Sequence, residues 1–208
     1  MPPHPRIRTR ADLEAGLAFL TGRDERLARA AELAGELPLR LRRPGFAGLM
    51  RIMISQQVST ASAEAIWRRV EARFNALAPK DVLASTEEEL RALGLSRPKA
   101  AYARAFAEHA ADGRLNLAAV ARMDDEAAIE HMQAVPGIGR WTAEIYLLFC
   151  LGRPDVLPSG DLALQTAFAH LAGLPARPGP DTFAAEAAAW APWRGVAARL
   201  LWAYYRLT

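Results

Sequence analysis

A single cysteine, Cys150, stands in 208 residues, and one thiol cannot form an intrachain disulfide. It lies inside an apolar helical run and reads as a packed core thiol. The same count excludes a four-cysteine iron–sulfur cluster. Histidine is scarce too. His4, His109, His131 and His170 show no ligand spacing with carboxylates or with the cysteine, so no structural zinc is expected. Lysine occurs only at Lys80 and Lys99. No apolar run approaches the roughly eighteen residues of a membrane span, and no secretory signal is visible. The expectation is an intracellular protein, cytoplasmic or nucleoid-associated, with no membrane partner. Repeats of solenoid period and low-complexity tails are also missing.

What is present is ordinary for a globular chain: 51% hydrophobic and 24% charged residues, in a length that accommodates one or two small domains. Alanine-rich runs with few β-branched clusters favour an all-α fold. The net charge is +3 and the pI about 9.4. Nearly all the positive charge is arginine, which suits a polyanionic partner only weakly.

Met1 to Arg8 is proline-rich and reads as an extended arm. Helical patterns follow at Thr9 to Leu20, from Asp24, and at Phe46 to Ile54. The last runs into Ser55-Gln56-Gln57-Val58-Ser59, with Ser59 or Thr60 capping a helix that carries Trp67, Val70 and Phe74. Two adjacent glutamines between two apolar helices are unusual. The plain reading is a polar turn. Short turns at Pro79 to Leu83 and Thr86 to Leu93 precede a helix over Ser96 to His109. Arg97 and Lys99 lie near its start, where a helix disfavours cations; solvent is the first expectation for them and a phosphate the alternative.

The organising stretch is Val135-Pro136-Gly137-Ile138-Gly139-Arg140-Trp141-Thr142-Ala143. It joins a helical pattern over Asp124 to Gln133 to another in which Trp141, Ile145, Leu148 and Phe149 recur at helical spacing. Proline and two glycines cannot continue a helix smoothly. Gly137 and Gly139 are both expected to allow positive φ and a tight bend. A bend that opens directly onto a helix leaves backbone N–H groups unpaired, and with the helix dipole these suit one phosphate, to which the Thr142 hydroxyl could add a bond. A simple helix–helix turn remains the alternative from this motif alone. Downstream, Val156-Leu157-Pro158-Ser159-Gly160-Asp161 ends a connection. Asp161 falls at the expected N-cap of a helix carrying Leu162, Leu164, Gln165 and Phe168, twenty positions after Trp141.

These residues resemble the helix-hairpin-helix (HhH-GPD) DNA glycosylases, and most closely the 3-methyladenine DNA glycosylase II branch. That branch has a hairpin of the form Pro-Gly-Ile-Gly-Arg-Trp-Thr-Ala and an essential aspartate after a Leu-Pro pair, at the start of a later helix. The resemblance runs from about Phe46 to the C-terminus. It implies an all-α fold with two helical subdomains, a cleft between them and the hairpin at its mouth. One subdomain would combine residues 1–57 with 166–208; the other, 58–165, would hold the hairpin helices at 124–149. Some relatives carry an N-terminal β-domain; only short helical text precedes Phe46, so its absence is expected.

The resemblance also implies roles. Asp161 would be the catalytic carboxylate, stabilising positive charge on a deoxyribose. Trp141 and Trp202 match family aromatic positions and would wall the base pocket, with Tyr146 a weaker guess, because the family tyrosine falls one residue earlier, at Ile145. Gly137, Gly139 and Thr142 would hold DNA phosphate. Gln57 would plug the gap left by the flipped nucleotide, with Gln56 beside it; the branch often has an apolar wedge there. The carbonyls of Gln133, Val135 and Ile138 would bind a monovalent cation, Na+ or K+, with no other cofactor and no iron–sulfur cluster. Some relatives carry a nucleophilic lysine two residues after the second hairpin glycine. Trp141 takes that place here, so no lyase step is expected. The implied activity is excision of alkylated purines from double-stranded DNA by a monomer. The alternatives are a non-catalytic hairpin DNA-binding protein, or a glycosylase for uracil, hypoxanthine or a mismatched base.

Overall fold

In a computed structural model the chain is described from residue 6 to residue 207. All regular structure among the described residues is helical. Thirteen α-helices run in order: α1 Arg10–Thr21, α2 Glu25–Ala34, α3 Phe46–Ser55, α4 Thr60–Phe74, α5 Pro79–Ala84, α6 Glu87–Ala92, α7 Arg97–Ala111, α8 Leu117–Val120, α9 Asp125–Gln133, α10 Arg140–Phe149, α11 Leu162–Leu171, α12 Pro180–Glu186 and α13 Arg194–Tyr205. A 3-10 turn at Ala187–Trp190 lies between the last two.

Local sequence chemistry sets most of the starts. Thr9 closes a capping box with Asp12, Thr86 closes one with Glu89, and Ser59, Ser96, Asp124 and Asp161 each accept backbone N–H bonds in the first turn of the helix that follows. The expected extended arm falls partly on Met1 to Pro5, outside the described residues. Beyond it, Ile7 is fully buried and its N–H donates to the Gly152 carbonyl at 2.7 Å, so this part of the arm is tied to the fold.

The helices form two compact units. One comprises residues 1–41 and 147–208, the other 42–146. The seams lie at 41/42 and 146/147, where the sequence reading drew them at 57/58 and 165/166. Packing explains the shift. α3 packs on α4 and α7 and goes with the second unit; α11 packs on α13 and goes with the first. The second seam falls within α10, so Asp161 belongs to the first unit and the hairpin to the second.

In the first unit α13 packs against α1, α2 and α11. Leu13, Leu27, Leu164, Leu200 and Leu201 fill the core beside an aromatic group in which Phe168 lies 5.3 Å from Phe183 and 5.8 Å from Trp190. Trp190 is pinned by its indole N–H, which donates to Asp24 Oδ2 at 2.8 Å. Asp24 also caps α2 and accepts from the Arg26 backbone and guanidinium at 2.9–3.0 Å. Burial pushes this carboxyl up, but the Arg26 and Trp190 hydrogen bonds outweigh it and hold it below the usual aspartate value. The resulting stability is present above the unfolded-state value of about 3.9 and is lost as pH falls through the lower folded value. Asp24→Ala is expected to cost about 2–4 kcal/mol, from the lost cap and a buried indole donor left unpaired. Thermal melts between about pH 2 and 6 check this. The gap between wild type and variant should close toward the acid end, and parallel curves would contradict it.

Candidate active site

The hairpin grows out of turn chemistry. The Ile138 N–H donates to the Val135 carbonyl at 3.1 Å, closing a four-residue turn with Pro136 and Gly137 at its centre. Gly137 has φ +92°, the value that the second central position of a type II turn demands. A Cβ there would meet the Tyr102 ring at 2.5–2.6 Å, so Gly137 is required on two counts. Gly139 differs from the expectation: its φ is not positive, and an added Cβ meets nothing within 4 Å. Among the described residues no hydrogen bond engages the N–H groups of Gly137 or Gly139. Arg140 fastens the two hairpin helices together. Its guanidinium pairs with Glu126 of α9 at 2.5 and 2.9 Å and with Glu144 of α10 at 3.0 Å. Glu126 in turn is held below its usual value, chiefly by that bond.

Within the same unit an open concavity of about 890 Å³ adjoins the bend. Gln56, Gln57, Gln133, Val135, Gly137, Ile138, Gly139, Trp141 and Thr142 all line it, together with Lys99 and Tyr102. The structure thus gathers nine of the expected site residues. Trp141 is half-buried there. Gln57 is exposed and has φ +54°, a left-handed conformation uncommon for a residue with a side chain.

Two expectations for this region need correction. Thr142 is only 2% exposed, and its hydroxyl accepts a 2.6 Å bond from Gln56 Nε2. It faces inward from the first turn of α10 and anchors Gln56, leaving no surface hydroxyl for phosphate. Tyr146 is fully buried, and its hydroxyl accepts the Gly45 N–H at 2.8 Å at the start of α3. It is a core residue that satisfies a helix end, not a pocket wall. Lys99 also departs from the solvent-facing expectation: its ammonium donates to the Ile54 and Gln56 carbonyls at 2.7 Å each, and burial lowers its pKa.

Asp161 sits at the N-cap of α11, as the sequence predicts, but in the first unit and not in the 58–165 subdomain expected for it. Its Oδ1 accepts the N–H groups of Ala163 and Leu164 at 2.9 and 3.0 Å. The preceding loop is held by a feature the sequence reading passed over. Gln165, 2% exposed, donates from Nε2 to the Ser159 carbonyl at 2.7 Å. A glutamine at the fourth position of a helix whose first three residues are Leu162, Ala163 and Leu164 is the available signal. Trp202 of α13 donates from Nε1 to Asp161 Oδ1 at 3.3 Å. Its ring lies 5.7 Å from Phe149, and the Arg199 guanidinium lies 4.4 Å from the centre of the Phe149 ring. Arg199 is itself fixed by the Leu39 and Leu148 carbonyls at 2.7 and 2.9 Å. Burial, then the nearby Arg40, pulls it down to about 10, so it stays charged at neutral pH. A buried cation, two aromatic rings and a carboxylate therefore form one packed series that sets the orientation of Asp161.

Residues 50–193 match the family model of the HhH-GPD superfamily base excision DNA repair proteins. The chain belongs to this superfamily. It is 32% identical over 190 residues to DNA-3-methyladenine glycosylase 1 of Schizosaccharomyces pombe, covering 88% of this chain and 83% of that one. Among solved structures, the 3-methyladenine DNA glycosylase of the same yeast in complex with abasic DNA superposes with a TM-score of 0.83 at 31% identity, over 90% of this chain and 95% of that one. A DNA-3-methyladenine glycosidase from Bacillus halodurans gives 0.77 at 34%, over 90% and 87%. The matched residues include both the Pro136 to Thr142 bend and Asp161. Of the other tryptophans, Trp67 and Trp190 are buried and Trp193 is half-buried. No helix among the described residues is long and apolar enough to cross a membrane.

Proposed function

We propose that this chain is a monofunctional DNA N-glycosylase that flips alkylated purines out of double-stranded DNA and hydrolyses their glycosidic bond. The observation that carries this reading is Asp161, locked by two backbone N–H groups and the Trp202 indole at the head of α11.

A base inside the stack is out of reach, so the nucleotide must swing out. As the bond from C1′ to the purine nitrogen breaks, its electron pair leaves with the base and the sugar becomes oxocarbenium-like. The Asp161 carboxylate stabilises that charge and orients the water whose oxygen bonds to C1′, while the water's proton passes to solvent. An N-alkylated purine already carries positive charge and leaves neutral, so it needs no protonation by the enzyme. Aromatic faces favour such an electron-poor ring by roughly 0.5–2 kcal/mol each, and Trp141 and Trp202 are the residues assigned to it. The N–H groups of Gly137 and Gly139 bind phosphate at the start of α10. The Gln133, Val135 and Ile138 carbonyls are neutral oxygens at a helix end, a donor set that suits Na+ or K+ better than a divalent ion, although the Val135 carbonyl also accepts the Ile138 N–H. A cation held there adds charge beside the phosphate. Trp141 has no amine to attack C1′, so the strand stays intact and the abasic site is the product.

Duplexes that each carry one lesion test this. Incubation should release 3-methyladenine or 7-methylguanine as the free base and leave a strand that breaks only after alkali. Release of uracil or hypoxanthine alone would move the specificity elsewhere. Binding without release of any base would mark a non-catalytic DNA-binding protein.

A further inference from the structure

We propose that Lys99 is the positioning residue for the α3–α4 junction, holding Gln57 in the conformation that serves the flipped nucleotide; this rests on the reading of Gln57 as the plug. Lys99 is the third residue of α7, a place where the helix dipole disfavours a cation. It is nonetheless drawn inward. Its ammonium spans two carbonyls, Ile54 in the last turn of α3 and Gln56 at the α3 C-cap, at 2.7 Å each. These are carbonyls that a helix end leaves without intrahelical donors, and a cation there complements the C-terminal end of the α3 dipole. Both partners are neutral carbonyls, and burial lowers the pKa of the ammonium.

The other face of the same junction is fixed independently. Gln56 Nε2 reaches the Thr142 hydroxyl in the first turn of α10 at 2.6 Å, and the Gln56 N–H donates to the Met53 carbonyl at 3.2 Å. Gln56 is thus bolted through its backbone carbonyl to α7 and through its side chain to the hairpin helix. The next residue must absorb the change of direction into α4, and Gln57 does so with φ +54°. For a residue with a Cβ this conformation is strained, and it persists only where the surroundings over-determine it. Lys99 is one of the two bolts that do so, and the only one that contacts the junction backbone from α7.

The test separates positioning from general structural support. Single-turnover base release is measured on a duplex with the lesion paired, and on one with the same lesion in a one-nucleotide bulge, where no pair has to be broken and no gap plugged. Lys99→Met is expected to lower the paired-to-bulged rate ratio about tenfold, the scale of a lost charge-assisted hydrogen bond. Gln57→Ala should lower the same ratio, and the double variant should be no worse than Gln57→Ala alone. Lys99→Arg, which keeps charge and donors, should recover most of the ratio, and Lys99→Gln, with its neutral donors, should fall between; either serves if Lys99→Met does not fold, as judged by melting. Equal loss on both duplexes, or losses that multiply in the double variant, would overturn the proposal while leaving the plug reading intact. A Gln57→Ala variant with an unchanged ratio would overturn the plug reading and this proposal with it.

Discussion

Asp161→Asn is expected to fold as the wild type does and to lose base release. Asparagine caps a helix about as well as aspartate, and its carboxamide oxygen can still accept from the Ala163 and Leu164 N–H groups and from the Trp202 indole. What disappears is one negative charge. In the reaction proposed here that charge is the only fixed anion assigned to the developing oxocarbenium ion, in a site where such stabilisation is worth more than in water. The expected loss is about 10²–10³ in the single-turnover rate, or roughly 3–4 kcal/mol. Melting temperature and affinity for an abasic duplex should change little. A variant that released base within a few-fold of wild type would remove Asp161 from the chemistry, however well it caps α11.

Gly137→Ala should act through the fold and then through DNA. Its φ of +92° lies in a region that a Cβ penalises, and that Cβ would arrive 2.5–2.6 Å from the Tyr102 ring atoms. Left-handed strain of about 1–2 kcal/mol and overpacking of about 1–3 kcal/mol together predict a loss of about 2–5 kcal/mol. For a chain of this length that is a fall of roughly 5–15 °C in melting temperature. Affinity should drop alike for damaged and undamaged duplexes, because a phosphate anchor carries no sequence or lesion information. Gly139→Ala is the matched control for the fold: no atom lies within 4 Å of its added Cβ, so the protein should melt normally. If the hairpin faces a phosphate, DNA affinity alone should suffer. Lesion-selective loss in Gly137→Ala, with normal binding to undamaged DNA, would contradict the anchor.

The parts of this site that are legible from sequence are those that local backbone chemistry fixes. Pro136 and Gly137 spell the turn, and Asp161 lies at the N-cap because an aspartate before an apolar helical run has few other uses. The capping boxes at Thr9 and Thr86 follow from the same rule. What stayed hidden depends on which way a side chain points once helices pack. Thr142 and Trp141 are neighbours in the first turn of α10 and both border the concavity, yet Thr142 is buried with its hydroxyl on Gln56 while Trp141 is only half-buried. Tyr146 and Ile145 are both buried, so a one-residue offset from a family position did not decide between pocket and core. Lys99 could not be separated from Arg97 by pattern. Arg97 pairs with Glu87 on the surface, while Lys99 turns in to two carbonyls. The domain seams moved because α3 packs forward on α4 and α7 and α11 packs on α13, groupings that the helical pattern alone does not show. Arg199 and Gln165 read as stray polar residues in apolar helices until their acceptors are seen.

The most direct measurement is a pair of equilibrium affinities, taken for the wild type and for Asp161→Asn. One duplex carries a pyrrolidine nucleotide, protonated where the transition state becomes positive; the other carries the neutral tetrahydrofuran counterpart. Wild type is predicted to prefer the cationic duplex by about tenfold or more, some 1.4 kcal/mol, and Asp161→Asn to bind both alike. A preference that survives the substitution unchanged would contradict a role for the Asp161 charge at the anomeric carbon.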